Sequence, residues 1–98
     1  MSYNDFRNEH ARLSVLRALA ESAGYASNSA VLRDELERFA LRLSRDQMAS
    51  VLAWLEEQGL VSLDAMGTVQ IATITRRGLD VAEGTAVVPG VRRPSPEV

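Results

Sequence analysis

Three side chains that can bond to nucleic-acid bases lie close together in the middle of the sequence. Arg45, Gln47 and Ser50 fall at the start of a predicted helix. Guanidinium and amide groups make paired hydrogen bonds to purine edges in the major groove of DNA, and hydroxyl groups can bond to any base. The pattern therefore predicts a base-reading helix start. Three further arginines are candidates for contacts to the DNA backbone: Arg42, Arg76 and Arg77.

The sequence lacks the residues that usually carry out catalysis or bind metal ions. The sequence has no cysteine and one histidine, His10, so it offers neither a thiolate nor a histidine-rich metal cluster. Asp46 and Glu57 are the nearest approach to a carboxylate pair. On one helix they would lie about 16 Å apart along the axis, too far for paired acid–base chemistry. We expect no enzyme activity, no cofactor and no metal.

The composition is ordinary for a single soluble domain. The 98 residues are 46% hydrophobic and 24% charged, which suits one folded core of this size. The net charge of −2 excludes a nucleic-acid binder that relies on bulk positive charge. No apolar run approaches the roughly 18 residues of a membrane span, and the polar N-terminus is unlike a signal peptide. The expected location is therefore the cytoplasm.

Helical periodicity dominates the first 60 residues of the sequence. A first helix is predicted from Asp5 to Ala23. Ser2 or Asn4 can cap its start, and Gly24 can end it in a left-handed conformation.

A capping box marks the start of a third helix and limits the length of the second. Ser44 is followed three residues later by Gln47, so each side chain can bond to the backbone N–H of the other residue. The second helix is therefore predicted to stop near residues 39–41, leaving a connection short enough for a helix-turn-helix. The third helix should end at Gly59, with four apolar residues facing inward: Met48, Val51, Leu52 and Leu55.

The apolar residues alternate after Gly59, which predicts a β-hairpin. Val61 and Leu63 are the apolar positions of its first strand, and Val69 and Ile71 those of its second. A turn over residues 65–67 joins the two strands.

Thr75 is predicted to cap a short fourth helix over residues 76–83, which Gly84 closes. The last stretch holds all three prolines and is predicted to be an extended arm. The chain thus divides into residues 1–84 and a Pro-rich arm, residues 85–98. The order helix, helix, tight turn, helix, hairpin, short helix predicts an α+β fold, the winged helix-turn-helix.

Several segments resemble a known family. The runs SRDQMASVLAWLEEQGLV, RRGLDVAEG and VPGVRRPSP are similar to small winged-helix proteins of Mu-like prophages. ITRRG, residues 74–78, is similar to a signature that follows the wing in many winged regulators. The family is often compared with repressors of the arsenic-repressor type. The resemblance implies a phage-borne winged helix with double-stranded DNA as its expected ligand. It does not imply metal sensing, because this chain lacks the cysteine and histidine ligands of those repressors.

The local charge argues against tight DNA binding. Between Ser44 and Thr75 there is one arginine against four carboxylates, a local charge of −3, and phosphate contacts supply most non-specific affinity. Two functions therefore stay open. The favoured one is a phage-type DNA-binding transcriptional regulator that acts as a homodimer. The alternative is a winged helix used for protein–protein interaction or self-assembly without DNA binding.

We expect self-association because two apolar surfaces must be shielded from water. The first helix has a wider apolar face than one packing layer needs, and the arm is too short to fold alone. A second copy could cover both, with crossing arms, or the arm could fold back onto its own domain. Trp54 is either a core-edge residue under the wing or an anchor for a partner. The candidate interface residues are Phe6, Val15, Leu19, Trp54, Val87, Val88 and Val91.

Overall fold

A three-stranded sheet packs against four helices in the computed structural model, which describes residues 2–95. The elements are α1 (Tyr3–Glu21), a 3-10 turn (Ala23–Tyr25), β1 (Ala26–Asn28), α2 (Ser29–Glu37), α3 (Arg45–Glu57), β2 (Val61–Met66), β3 (Val69–Ile74) and α4 (Arg76–Glu83). The turn between α2 and α3 and the β2–β3 hairpin make this a winged helix-turn-helix, which confirms the predicted fold class. Within residues 2–95, no helix combines the length and apolar character needed to cross a bilayer.

Capping side chains fix the helix starts where the sequence places them. The Ser44 hydroxyl accepts from the Gln47 backbone N–H at 3.1 Å, and the Gln47 side chain accepts from the Ser44 N–H at 2.8 Å. Ser2 forms the equivalent box at α1, which therefore starts at Tyr3 rather than Asp5. At α4 the Thr75 hydroxyl accepts from the Gly78 N–H at 3.0 Å. The predicted caps of all three helices are confirmed.

The short strand β1 is an element that the sequence did not indicate. Ala26–Asn28 pair with β3 in the antiparallel sheet order β1-β3-β2. Three small or polar residues carry no alternation, so only their pairing with β3 defines the strand. Asn28 then caps α2, because its side-chain oxygen accepts from the Val31 N–H at 2.8 Å.

The hairpin forms as predicted. The side chains of its second strand that face the core are those of Ala72 and Ile74. Leu63 pairs with Ala72, and both side chains lie on the core side of the sheet, where Ala72 is buried. Ile71 pairs with Asp64 on the outer face. Val69 and Ile71, the predicted apolar positions of this strand, are thus not its core-facing residues, whereas Ala72 and Ile74 are buried. The register that the turn imposes, not the local alternation, decides which side chains face the core.

The C-terminal arm folds back onto its own domain over the described residues. Val88 and Val91 are buried in the same core cluster as the helices. The backbone N–H of Arg92 donates to the Glu9 carbonyl of α1 at 3.2 Å. In the single chain the arm therefore packs in cis, which was one of the two predicted placements. Residues 96–98 of the predicted arm lie outside the described residues.

Candidate nucleic-acid interface

The outer face of helix α3 carries short side chains. Met48 and the three other predicted inward residues are buried in the core, which confirms the predicted orientation of the helix. Ala49, Ser50 and Ala53 are exposed on the opposite side. These short side chains let another surface approach the helix backbone closely.

Two arginines, one on α1 and one on α2, hold the turn of the helix-turn-helix. A guanidinium nitrogen of Arg7, on α1, donates to the carbonyl of Arg42. The Nε of Arg33, on α2, donates to the Leu43 carbonyl at 3.2 Å. Because Arg7 is 35 residues from Arg42 in sequence, a reading of local segments could not place it there.

A cleft separates the N-terminal halves of α1 and α3. Its volume is about 370 Å³, and we call it the α1–α3 cleft. Two guanidinium groups line it, together with three amides, a hydroxyl, one carboxylate and one valine: Arg7, Arg12, Asn4, Asn8, Gln47, Ser50, Asp46 and Val51. Hydrogen-bond donors therefore dominate the lining, and Asp46 is its one acid.

A second depression lies on the other side of α3, between that helix, the start of α2 and the wing. It measures about 220 Å³, and Arg33 and Arg45 line it. The backbone N–H of Gln70 in β3 donates to the Ser29 hydroxyl at 3.2 Å, which ties the wing to α2 there. The N-terminal half of α3 is thus a ridge between two depressions that each carry two arginines.

Five arginines therefore surround the start of α3, and we call them the basic collar: Arg7, Arg12, Arg33, Arg42 and Arg45. Four carboxylates lie near these arginines: Asp46 in the cleft, Glu37 beside Arg42, and Asp5 and Glu9 beside Arg12. Glu37 pairs with Arg42 at 3.6 Å through two exposed side chains. Exposed pairs of this kind contribute little and exchange readily. The N-terminus of α3 adds the positive end of its helix dipole. The five arginines thus outnumber the four carboxylates beside them by one, although the chain's net charge is negative.

The structure separates the six predicted DNA-contact residues into two groups. Arg42, Arg45, Gln47 and Ser50 all lie at the N-terminal end of α3. Arg76 and Arg77 lie at the other end of that helix. Their position follows from the Thr75 hydroxyl, which donates to the Gly59 carbonyl at 2.7 Å.

Distance keeps these two groups apart. The 13 residues of α3 span about 20 Å at 1.5 Å per residue. Arg76 also pairs with Asp80 at 3.8 Å. Arg76 and Arg77, predicted to contact the DNA backbone, therefore lie apart from the base-reading residues, because α4 starts where α3 ends. Their contact to DNA stays a prediction.

Trp54 packs against the arm and not under the wing. The guanidinium carbon of Arg12 lies 3.9 Å from the centre of the Trp54 ring. Arg12 also donates to the Gly90 carbonyl at 2.9 Å. Gly90 has a φ of +99°, and a Cβ there would lie 2.6 Å from the ring. Trp54 is partly buried at the edge of the core, as one of its two predicted roles requires, but its contacts are to Arg12 and the arm. Its role as an anchor for a partner stays a prediction.

Arg12 is the most constrained member of the basic collar. Burial lowers the pKa of Arg12 from its usual range, although Glu9 and Asp5 act in the opposite direction; an arginine nevertheless stays charged at neutral pH. Its Nε is buried and has no hydrogen-bond partner within residues 2–95. The charge is thus fixed in place, with bonding capacity left over.

Four of the seven candidate interface residues belong to the chain's own core. Val15 and Leu19 are 0% exposed, and Val88 and Val91 are buried with them. The wide apolar face of α1 is explained by its position, because it packs against α2, α3, α4 and β3 at once. These four residues are corrected from interface to core. Phe6 and Val87 remain exposed.

A larger groove lies across α1 from the α1–α3 cleft. Helix α1, the end of α2 and the end of α4 form its walls. We call it the α1–α2–α4 groove, and its volume is about 610 Å³. Phe39 is 70% exposed at its rim. His10 lies in the groove, where burial, followed by the charges of Arg92 and Arg17, lowers the pKa of the imidazole below its usual 6.5.

The structural comparison bears on the class of protein. RosR from H. salinarum, in crystals grown from NaBr, has a TM-score of 0.65 and 20% identity to this chain, covering 74% of this chain and 66% of RosR. RosR in the RosR-S1 complex gives a TM-score of 0.64 at 20% identity, covering 74% and 63%. The chain thus spans just under two thirds of the RosR chain. The likeness agrees with the winged-helix fold.

The sequence comparisons identify the family. The chain is 41% identical over 93 residues to gp26, an uncharacterized protein of Escherichia phage Mu, covering 95% of this chain and 96% of gp26. It is 39% identical over 80 residues to an uncharacterized protein of Haemophilus influenzae, covering 81% and 78%. No protein-family model matches the sequence. The chain belongs to the family of phage Mu gp26.

Proposed function

We propose that the protein is a DNA-binding winged-helix regulator of phage type that docks the N-terminal end of α3 on duplex DNA. The observation that carries this proposal is the basic collar. Arginines from α1, α2, the turn and α3 gather around one helix start, which compensates for the acidic sequence of α3 itself. Such a ring of guanidinium groups is suited to backbone phosphates on both sides of a groove.

In this arrangement, the side chains of Arg45, Gln47 and Ser50 would contact the DNA bases. The amide oxygen of Gln47 is already used in the capping box, so only its N–H donors remain for DNA. Reading adenine with both groups of an amide needs the oxygen as well. Gln47 therefore favours base acceptors, such as those of guanine, over the paired contact to adenine.

The comparisons support the proposal at the level of fold and origin. The winged-helix likeness supports a regulator, and the phage Mu relative supports a phage or prophage setting. The resemblance to arsenic-repressor-type proteins stays a prediction.

Binding to duplex DNA tests the proposal directly. Fluorescence anisotropy with labelled DNA from the encoding locus, and with a scrambled duplex, should show binding at about 50 mM salt. The slope of log affinity against log salt should be roughly −3 to −4 per protomer, because only a few phosphates are neutralised. Arg45→Ala should weaken binding about tenfold, as expected for a base or phosphate contact of 1–3 kcal/mol. No binding to either duplex at that salt would refute the regulator.

The second candidate function, a protein-interaction module, is favoured by the α1–α2–α4 groove. An exposed Phe39 beside a groove of about 610 Å³ is a feature that DNA binding does not use. Its lining carries both signs of charge, with Arg17 and Arg38 against Glu21, Glu35 and Glu83. Mixed charge of this kind is self-complementary across a two-fold axis. We therefore assign the proposed homodimer contact to this groove and not to the arm.

Sedimentation velocity at micromolar concentration tests the homodimer. A species of twice the 10.7 kDa chain mass is expected, and Phe39→Glu should shift it to monomer. Val87→Glu, an exposed arm residue outside the groove, is the matched control and should leave the dimer intact. A monomeric wild type, or a dimer that persists in Phe39→Glu, would contradict the assignment.

A further inference from the structure

We infer that the α1–α3 cleft is a phosphate-binding site and that its ligand is a phosphodiester of the DNA backbone. This inference rests on the proposed function, because it names the part of DNA that one side of α3 would contact. The cleft is distinct from the base-reading residue Arg45, which lies on the opposite side of the helix.

The lining of the cleft has the donor chemistry that phosphate oxygens require. Arg7 and Arg12 supply charge, Asn4 and Asn8 supply neutral N–H donors, and Ser50 supplies a hydroxyl. Arginine, asparagine, glutamine and serine side chains are the usual protein donors to DNA phosphates. A hydrophobic ligand finds little here, because Val51 is the one apolar residue among the eight that line the cleft.

The Arg12 side chain is preorganised for such a ligand. One face of its guanidinium lies against Trp54, and one nitrogen donates to Gly90. An arginine normally loses side-chain entropy when it binds an anion, and this cost falls when packing has already fixed its rotamer. The buried Nε without a partner among the described residues marks the same side chain as incompletely satisfied.

Two helix N-termini add to the positive potential of the cleft. Helix α1 begins at Tyr3 and α3 at Arg45, and residues from the first two turns of each line the cleft, with Arg12 from the third turn of α1. Both helix dipoles therefore add positive potential there. Asp46 in the lining opposes an anion, and Asp5 and Glu9 act on Arg12 from nearby, so these carboxylates limit the affinity.

The position of the cleft favours the DNA backbone over a free ion. Ser50 and Gln47 line the cleft and belong to the face of α3 that would enter the major groove. A strand that passes over this face would carry its phosphates past Arg7 and Arg12. Inorganic pyrophosphate has the same donor requirements, so it serves as a probe of the site without DNA.

Trp54 gives a direct readout of the cleft, because it is the only tryptophan of the chain and touches Arg12. Titration with sodium pyrophosphate, at ionic strength held constant with sodium chloride, should change its fluorescence in a saturable way. Asn8→Asp, which leaves the Arg7 bond to the turn in place, should weaken this binding at least about fivefold, and Asp46→Asn should tighten it about threefold. Arg77→Gln, exposed at the other end of α3, is the matched control and should change nothing.

The same variants decide whether DNA supplies the phosphate. With duplex DNA, Asn8→Asp should weaken binding and Arg7→Gln should reduce the salt slope by about one. If wild-type protein binds DNA but neither variant alters it, the inference fails and the proposed function stands. If DNA does not bind while pyrophosphate still does, the proposed function fails and the cleft takes free phosphate. Absence of any saturable Trp54 response, together with unchanged DNA binding, would overturn the site altogether.

Discussion

The two ends of helix α3 have opposite characters. At the N-terminal end, five arginines lie among four carboxylates: Asp46, Glu37, Asp5 and Glu9. At the C-terminal end, the Glu56 carboxylate accepts from the Leu63 N–H at 3.3 Å, and the Thr75 hydroxyl that caps α4 donates to the Gly59 carbonyl. One end thus gathers arginines from several elements, whereas the other joins α3 to β2 and α4.

This difference shows how far a local charge sum can mislead. The segment from Ser44 to Thr75 carries a charge of −3, which argues against DNA. Three members of the basic collar, however, come from α1 and α2 and meet α3 only in the folded chain. The relevant charge is that of a surface, and a surface is assembled by tertiary packing.

The largest expected effect comes from breaking the C-terminal joint. A Cβ at Gly78 would collide with the Leu60 carbonyl oxygen and lie 2.6 Å from the Ile74 side chain. Because backbone blocks the space, Gly78→Ala should lower the free energy of unfolding by about 3 kcal/mol. Glu83→Ala, exposed in the same helix, is the control, with an expected change within about 0.5 kcal/mol. Equal denaturant midpoints for the two variants would mean that α4 does not pack this closely.

A smaller effect is expected at the N-terminal end, where a cap and not packing defines the helix. Ser44→Ala removes the hydroxyl that accepts from the Gln47 N–H and should lower the free energy of unfolding by about 1 kcal/mol. Ser44→Asp should retain most of the stability, because a carboxylate also caps a helix start. Chemical denaturation measures both variants. A loss of less than a few tenths in Ser44→Ala would show that α3 does not depend on this cap.

The smallest effect concerns pH and lies away from both ends of α3. The pKa of His10 is lowered in the folded protein, so the unfolded chain binds more protons below about pH 6.5. The free energy of unfolding should therefore fall slightly as the pH drops below that value, and this fall should level off below the folded pKa. In His10→Gln the same titration should be flatter. A stability that rises on acidification through this range, and does so only when His10 is present, would contradict the sign.

Local sequence rules accounted for the elements and caps but not for the assembled surface. The Ser44–Gln47 box and the Thr75 cap each follow from neighbouring residues. The close packing at Gly78 involves the Leu60 backbone, 18 residues earlier. Strand β1 has no pattern of its own and exists through its pairing with β3. Likewise, the arginines of α1 reach the site through contacts tens of residues apart in sequence, which periodicity cannot reveal.

The central claim is that DNA approaches the N-terminal end of α3. The most direct test compares two double variants, Arg7→Gln with Arg45→Gln at that end and Arg76→Gln with Arg77→Gln at the other. Each removes two positive charges, so their net charges match. Anisotropy titrations with the encoding-locus duplex over a range of salt concentrations should show the slope reduced by about two for the first pair and nearly unchanged for the second. Equal reductions, or a larger loss for the Arg76 and Arg77 pair, would contradict the account.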